Sequence, residues 1–131
     1  MMFGTATAYG GAGARYRTID VSSRLEGASP HRLVGILFDE LLRAIEAGQA
    51  AARRGDRGKR AEREARALSI LHGLEASLDF QKGGEIAASL SSIYREARRL
   101  ITLGSRENRI EPAEQARAML AEIAGAWDSI G

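Results

Sequence analysis

The chain has 131 residues, enough for one domain with a hydrophobic core but short for two. Its residues are 44% hydrophobic and only 5% aromatic, which favours helices over sheets, and a net charge of +2 with interleaved basic and acidic residues gives no indication of nucleic-acid binding. The chain has no cysteine, no secretory signal and no apolar run near the roughly 20 residues that span a bilayer, so we expect a soluble, cytosolic protein without disulfides or membrane insertion.

The first 27 residues differ in composition from the rest of the chain. Residues 1–14 are rich in Gly, Ala and Thr and show no periodicity, which predicts disorder. The segment that follows has four large apolar side chains and no helix of its own length: Tyr16, Ile19, Val21 and Leu25. Burying each would contribute about 1.5–3 kcal/mol, whereas ordering about ten residues costs roughly 1–2 kcal/mol apiece, so the two sums nearly cancel. We therefore predict a displaceable lid; the alternative is a short helix packed permanently on the core.

The first long helix is predicted from about residue 29 to residue 54. Ser29 provides a side-chain cap, and Pro30 fits the first turn, where its missing N–H costs nothing. One stripe of this helix carries Val34, Leu37, Phe38, Leu41, Ala44 and Ile45. Three further apolar residues lie at or outside the edges of that stripe: Leu33, Ile36 and Leu42. Of these, Ile36 lies among charged residues. The apolar arc is roughly twice the 100° that a half-buried helix needs, so we expect something besides the chain's own core to cover the excess.

Three more amphipathic helices are predicted, over about 59–80, about 85–103 and from Pro112 onward. Their apolar positions are Ala67, Leu68, Leu71, Leu74 and Leu78; Ile86, Leu90, Ile93, Tyr94, Ala97, Leu100 and Ile101; and Ala116, Met119, Leu120, Ile123, Trp127 and Ile130. We expect Tyr94 and Trp127 to pack in the core with their polar atoms at its rim. Helices of this length joined by short loops predict an all-α fold, an antiparallel up-and-down four-helix bundle over residues 28–131.

No residue pattern indicates a catalytic, cofactor or metal site. The two histidines, His31 and His72, have neither metal-ligand spacing nor cysteine partners. His72 on the second helix could serve as the phosphoacceptor of a histidine phosphotransfer bundle, although a partly exposed histidine on a helix face is the simpler interpretation. We therefore expect a protein that is not an enzyme and that uses no cofactor.

Several charged and glycine positions are interpreted structurally. Glu75 and Asp79 are spaced to share a solvated helix face, where carboxylates are more often surface charges than acid/base catalysts. Arg98 and Arg99 point away from the apolar stripe of the third helix and predict a solvated basic edge. The glycine pair Gly83-Gly84 lacks a following Lys-Ser or Lys-Thr, so it predicts a turn and not a phosphate-binding loop.

Seven short sequence elements follow one another along the chain in the order and spacing of one known family. They are Tyr16-x-x-Ile19-x-Val21, Ala28-Ser29-Pro30, Leu37-Phe38-Asp39, Ser77-Leu78-Asp79, Gly83-Gly84-Glu85-Ile86-Ala87, Leu90-x-x-Ile93-Tyr94 and Ala126-Trp127. On these residues the chain resembles FliS, the flagellar secretion chaperone that holds flagellin in the cytosol before export. It departs from the family pattern at Glu40, usually Gly, at Glu96, usually aromatic, and at Gly104-Ser105, usually Ala-Asn.

The resemblance implies a helical-bundle chaperone that binds the C-terminal, polymerisation-prone segment of flagellin. It also implies delivery of the complex to the export gate of the flagellar type III secretion apparatus, with other flagellar regulators as further candidate partners. In the family the N-terminal Tyr-containing segment lies where part of the client binds. From the residues alone, a general helical adaptor for another secretion protein stays an alternative.

The excess apolar arc of the first helix predicts where such a client binds. An amphipathic client helix would lie in a groove between the first and second helices, read by anchors at i, i+3, i+4 and i+7. The predicted groove residues are Leu33, Ile36, Leu37 and Leu42 on the first helix and Ile70, Leu71 and Leu78 on the second. The lid residues 16–25 would shield part of this groove, which would otherwise be prone to aggregation.

Overall fold

The computed structural model describes residues 27–130, which contain four helices and no strand. The helices are α1 (Pro30–Arg54), α2 (Arg57–Ala76), α3 (Phe80–Glu107) and α4 (Glu111–Ser129). Each helix packs against two others, in the cyclic order α1, α2, α3, α4, and within this range the diagonal pairs make no close backbone approach. The predicted antiparallel four-helix bundle is therefore confirmed. The predicted disorder of residues 1–14 and the predicted lid carried by Tyr16, Ile19, Val21 and Leu25 lie outside the described residues.

The boundaries of α1 follow from local capping. The Ser29 side chain accepts a hydrogen bond from the backbone N–H of Arg32 at 3.1 Å, and Pro30 occupies the first turn as predicted. At the other end Gly55 adopts φ 75°, the left-handed conformation that glycine reaches without steric cost, and its N–H bonds back to the last carbonyls. Sequence-local signals were sufficient to place this helix.

Helix α3 is longer than predicted at both ends. It begins at Phe80, because the Asp79 carboxylate caps the first turn by accepting from two backbone N–H groups. Gly84 then interrupts the helix with φ 49° and ψ −122°, so the predicted break is present but lies inside the helix. The predicted end of this helix at about residue 103 is too early, because the helix continues to Glu107 and ends where Asn108 takes a left-handed conformation.

All four helices contribute to one hydrophobic core. Its buried members are Phe38, Leu41, Ala44, Ile45, Ala67, Ile70, Leu71, Leu74, Tyr94, Ala97, Leu100, Ile101, Ala113, Ala116 and Leu120. Two predicted stripe residues do not join it, since Ile86 is 72% and Ile130 is 74% exposed. The buried face at the start of α3 is centred on Ala87 and Ser91, which leaves Ile86 on its flank, and Ile130 lies beyond the last residue of α4.

Candidate functional site

Helix α1 has a wide apolar arc because two helices pack against it. At 100° per residue the buried and half-buried side chains of residues 31–49 cover roughly 240° of its circumference. Within residues 31–49 the exposed side chains are confined to a narrow strip that carries Arg32, Asp39, Arg43 and Glu46. Helix α1 packs against α2 on one side and against α4 on the other. The bundle itself therefore covers much of the apolar arc that we expected something else to cover.

Ile36 does not lie on a charged, exposed face as its neighbours in the sequence suggested. Its side chain is only 3% exposed, and Glu40, one turn later on the same side, is 2% exposed. The Glu40 carboxylate lies 3.6 Å from the Arg66 guanidinium of α2. The expectation was wrong because this charged neighbour is itself buried and does not mark a solvent face.

The predicted groove residues of α2 lie mainly in the core. Leu71 is completely buried and Ile70 is 8% exposed, so Leu71 cannot contact a client without the bundle opening. The sequence could not show this, because one broad apolar stripe does not reveal which of its members a neighbouring helix will cover. Leu78, just beyond the end of α2, is half-buried and packs against the core cluster.

The remaining groove residues of α1 are half-buried but do not form one surface. Leu33 and Leu37 lie one turn apart, about 40° from each other around the helix. Leu42 lies about 140° from Leu37, on the side that faces α4. Helix α1 therefore has two separate apolar edges, where one groove was predicted; which of these residues contact a client stays a prediction.

Two exposed side chains at the start of α3 were missed by the sequence analysis as surface features. Phe80 is 54% and Ile86 is 72% exposed, on either side of the break at Gly84. Leu78 immediately precedes this segment. Exposed large apolar side chains close together on a small domain are a common feature of interaction surfaces.

A cleft of about 650 Å³ lies between the first turns of α1 and the last turns of α4. It is lined by Ser29, His31, Arg32, Gly35, Ile36, Phe38, Asp39, Ala124, Gly125, Trp127 and Asp128. The His31 ring stacks on the Trp127 indole with ring centroids 4.5 Å apart and an interplanar angle of 11°. Trp127 Nε1 also donates a hydrogen bond to the backbone carbonyl of His31 at 2.9 Å, so the polar atom lies at the rim as predicted. The contact with His31 left no signal in the sequence, since 96 residues separate the two rings.

Glu75 joins α2 to α3 and is not a solvated surface charge. Its carboxylate accepts hydrogen bonds from Arg98, from Ser91 at 2.9 Å and from Arg95 at 3.0 Å. These bonds, chiefly those from Arg98 and Ser91, lower the pKa of Glu75 to about 2. The predictions of a solvated Glu75 and a solvated Arg98 are both wrong, because the two side chains pair across the helices; Asp79 caps α3 instead of sharing a face with Glu75.

A buried arginine holds the opposite end of the bundle together. Arg60 donates to the Glu64 carboxylate at 2.9 Å and to the Asn108 side-chain oxygen at 3.1 Å. It also donates to the backbone carbonyls of Gly104 and Arg109, each at 2.9 Å. This network, which the sequence analysis missed, ties the start of α2 to the end of α3; the i, i+4 spacing of Arg60 and Glu64 was its only local signal.

Between residues 27 and 130 the structure contains neither a cluster of metal-ligating side chains nor a helix that could span a membrane. No group of three or more His, Asp or Glu side chains there is placed to hold a metal ion. None of the four helices is both long enough and apolar enough to cross a bilayer. His72 is exposed on α2, in agreement with its interpretation as a helix-face histidine.

Comparison with known proteins connects this bundle to one family. The family model described as flagellar protein FliS matches residues 12–131. The chain is 34% identical over 116 residues to the flagellar secretion chaperone FliS of Salmonella typhimurium, covering 88% of this chain and 86% of that protein. It is 31% identical over 115 residues to the same chaperone of Vibrio cholerae, covering 88% and 85%. The resemblance noted from the sequence is thus confirmed, and the chain belongs to the FliS family of flagellar secretion chaperones.

Proposed function

We propose that this chain is a cytosolic export chaperone for flagellin. It binds the C-terminal, polymerisation-prone helical segment of flagellin, prevents premature assembly, and delivers the complex to the flagellar type III secretion apparatus. The observation that most supports this proposal is the family match over residues 12–131, together with relatives that carry the name flagellar secretion chaperone. Such a role is not enzymatic, and it requires binding surface but no cofactor.

The apolar edges of α1 and the start of α3 are the surface that we assign to the client. Leu33 and Leu37 are half-buried on one edge, so each keeps apolar surface available beside the bundle. Phe80 and Ile86 add more exposed apolar area at the same end of the molecule. An amphipathic client helix would place its apolar face along such an edge, with side chains at i, i+3, i+4 and i+7 making the contacts.

The other predicted groove residues have smaller roles in this proposal. Leu42 lies on the second edge of α1 and would contact a different part of a client that wraps around the bundle. Ile36 and Ile70 have little exposed surface, so they support the shape of the site from beneath. Leu71 is omitted because it is fully buried.

We assign the client segment by a binding experiment that uses flagellin with and without its C-terminal segment. The full chain should co-elute in size-exclusion chromatography with intact flagellin and not with truncated flagellin. Co-elution with both forms would overturn the assignment of the C-terminal segment. If neither form of flagellin co-elutes with the chain, flagellin is not its client. Capture of a different flagellar export protein would then favour the general adaptor.

A matched pair of variants tests the assigned edge. Leu33 is half-buried and lies outside the core cluster, so Leu33→Asp should weaken flagellin binding by about tenfold or more with little change in the thermal midpoint. Ala65→Asp introduces the same charge at an exposed position of α2 and should leave binding unchanged. Equal affinities of the two variants would remove this edge of α1 from the site.

The N-terminal lid, carried by Tyr16, Ile19, Val21 and Leu25, remains part of the proposal. If these side chains shield the client surface, deleting residues 1–25 should leave flagellin affinity equal or higher and reduce solubility. A large loss of affinity on deletion would instead make the segment part of the client site. The readouts are isothermal titration calorimetry and the concentration at which each protein begins to aggregate.

A further inference from the structure

The last turns of α4 are attached to the bundle much more weakly than the rest of that helix. Residues 125–130, which we call the C-terminal strap, follow Ala124, itself half-buried against the core. Within the strap Trp127 is half-buried and packs against the core cluster, whereas the side chains at 126 and 128–130 are exposed. One side chain therefore provides the core contact of six residues.

Two contacts of that side chain connect the strap to α1. The Trp127 indole stacks on the His31 ring, and its Nε1 donates to the His31 carbonyl at 2.9 Å. The Ser129 hydroxyl donates to the Ala126 carbonyl, so that bond stays inside the strap. Among residues 27–130, the strap makes no other hydrogen bond or ring contact with another helix.

The first half of α4 is held differently. Ala116 and Leu120 are completely buried, and two ion pairs tie this half to α1, Arg53 with Glu114 at 2.9 Å and Arg117 with Glu46 at 2.8 Å. Segments with few buried contacts open at lower free energy than the core elements beside them. Gly125, at the junction of the two halves, is also a poor helix former and leaves the strap free to separate from the rest of the helix.

We propose that the C-terminal strap is a latch that opens without unfolding of the bundle, and that stacking of Trp127 on His31 closes it. The closed strap forms one wall of the cleft whose opposite wall includes Ile36 and Phe38 of α1. Opening moves Trp127 away and exposes these two apolar side chains, which are 3% and 1% exposed in the closed state. Opening itself does not depend on flagellin; its use to regulate access of a client to α1 rests on the proposed function.

The composition of the chain makes the latch easy to observe. Trp127 is the single tryptophan, so fluorescence reports on the strap alone, and the two histidines supply a variant and its control. His31→Ala removes the stacked ring but keeps the carbonyl acceptor, and His72→Ala removes an exposed ring on α2. His31→Phe restores an aromatic partner and should behave as the unaltered chain does.

Acrylamide quenching and amide hydrogen exchange provide the test. In the unaltered chain, amides of residues 126–130 should exchange at least about tenfold faster than those of residues 116–120. This difference should be seen in buffer without denaturant, where the bundle stays folded. His31→Ala should increase both acrylamide quenching and strap exchange by about fivefold without changing exchange at 116–120, whereas His72→Ala should change neither. If strap amides exchange only as fast as the core, or if His31→Ala and His72→Ala behave alike, the latch does not exist.

The regulatory part has its own readout. If the open latch admits the client, His31→Ala should change flagellin affinity by about fivefold relative to His72→Ala. Equal affinities in the two variants, with quenching that still differs, would overturn regulation and leave the latch itself supported. Absence of flagellin binding by the unaltered chain would count against the proposed function and would overturn a client-gating role, whatever the quenching shows.

Discussion

The two ends of the bundle are built in opposite ways. At the clamped end, where α2 begins and α3 ends, Arg60 makes four hydrogen bonds. They join the start of α2 to the end of α3 and to the loop that follows α3. At the open end, where α1 begins and α4 ends, a cleft separates the helices and a stacked ring pair is the main link between them. All three exposed large hydrophobic side chains of the described range lie at the open end: Phe80, Ile86 and Ile130.

This difference suggests how a small bundle can be stable and still present apolar surface for binding. Buried polar networks are costly when any member lacks a partner, so a fully satisfied network fixes the geometry of the clamped end. Stability supplied there allows the open end to keep apolar surface that contributes little to folding. A chaperone for an aggregation-prone helix needs such surface, and the separation of the two tasks lets each be tested by itself.

The largest expected effect comes from removing the clamp. Arg60→Ala leaves the Glu64 carboxylate and two carbonyls without their buried donor, which should lower the free energy of unfolding by about 3–5 kcal/mol. Urea unfolding followed by circular dichroism measures it. Arg57→Ala, an exposed arginine one turn earlier, should change the free energy by less than about 0.5 kcal/mol. A loss below about 1 kcal/mol for Arg60→Ala would show that the clamp does not hold this end.

The next effect is a pH dependence at the junction of α2 and α3. Because the folded-state pKa of Glu75 is lowered to about 2 from 4.5, its contribution is complete above pH 4.5 and is lost as the pH falls toward 2. Glu75→Gln should therefore be less stable than the unaltered chain by about 1.5–3 kcal/mol at neutral pH, and the gap should close near pH 2. Glu122→Gln, at an exposed site, should show a small gap throughout; a gap for Glu75→Gln that does not vary with pH would contradict the pairing.

A pair of glycine substitutions sharpens the comparison at the clamped end. A Cβ at Gly104 would lie 2.8 Å from the Arg109 carbonyl oxygen, so Gly104→Ala should destabilise the bundle by about 1–3 kcal/mol despite the higher helix propensity of alanine. Gly73 has no atom within 4 Å of its Cβ position, so Gly73→Ala should stabilise by up to about 1 kcal/mol. Thermal unfolding of the two variants should shift in opposite directions; a shared direction would mean that the loop moves freely.

The smallest effect on stability is expected at the open end. Ile86 is 72% exposed, so Ile86→Ser should change the free energy of unfolding by no more than about 0.5 kcal/mol. The same variant should weaken flagellin binding, because it removes apolar surface assigned to the client. Calorimetric titration and urea unfolding of one preparation measure both quantities. A large loss of stability would place Ile86 in the structural core of the bundle.

How far the sequence predicted this molecule depended on the range of the interactions involved. Ser29 and Pro30 placed the start of α1, and helical periodicity identified nearly every core residue, because these signals act within a few positions along the chain. Burial of Ile36 was missed because it depends on tertiary packing, which the periodicity of one helix does not show. Three of the four partners of Arg60 lie 44 to 49 residues away, and two of these are backbone carbonyls, which no side-chain pattern can reveal.

The central claim is that flagellin binds the open end and leaves the clamped end untouched. Amide hydrogen exchange of the full chain, measured with and without intact flagellin, tests this most directly. The account predicts slower exchange on binding over residues 32–42 and 80–87, with no change over 60–64 and 104–109. Protection confined to the clamped end, or none anywhere despite a stable complex, would contradict it.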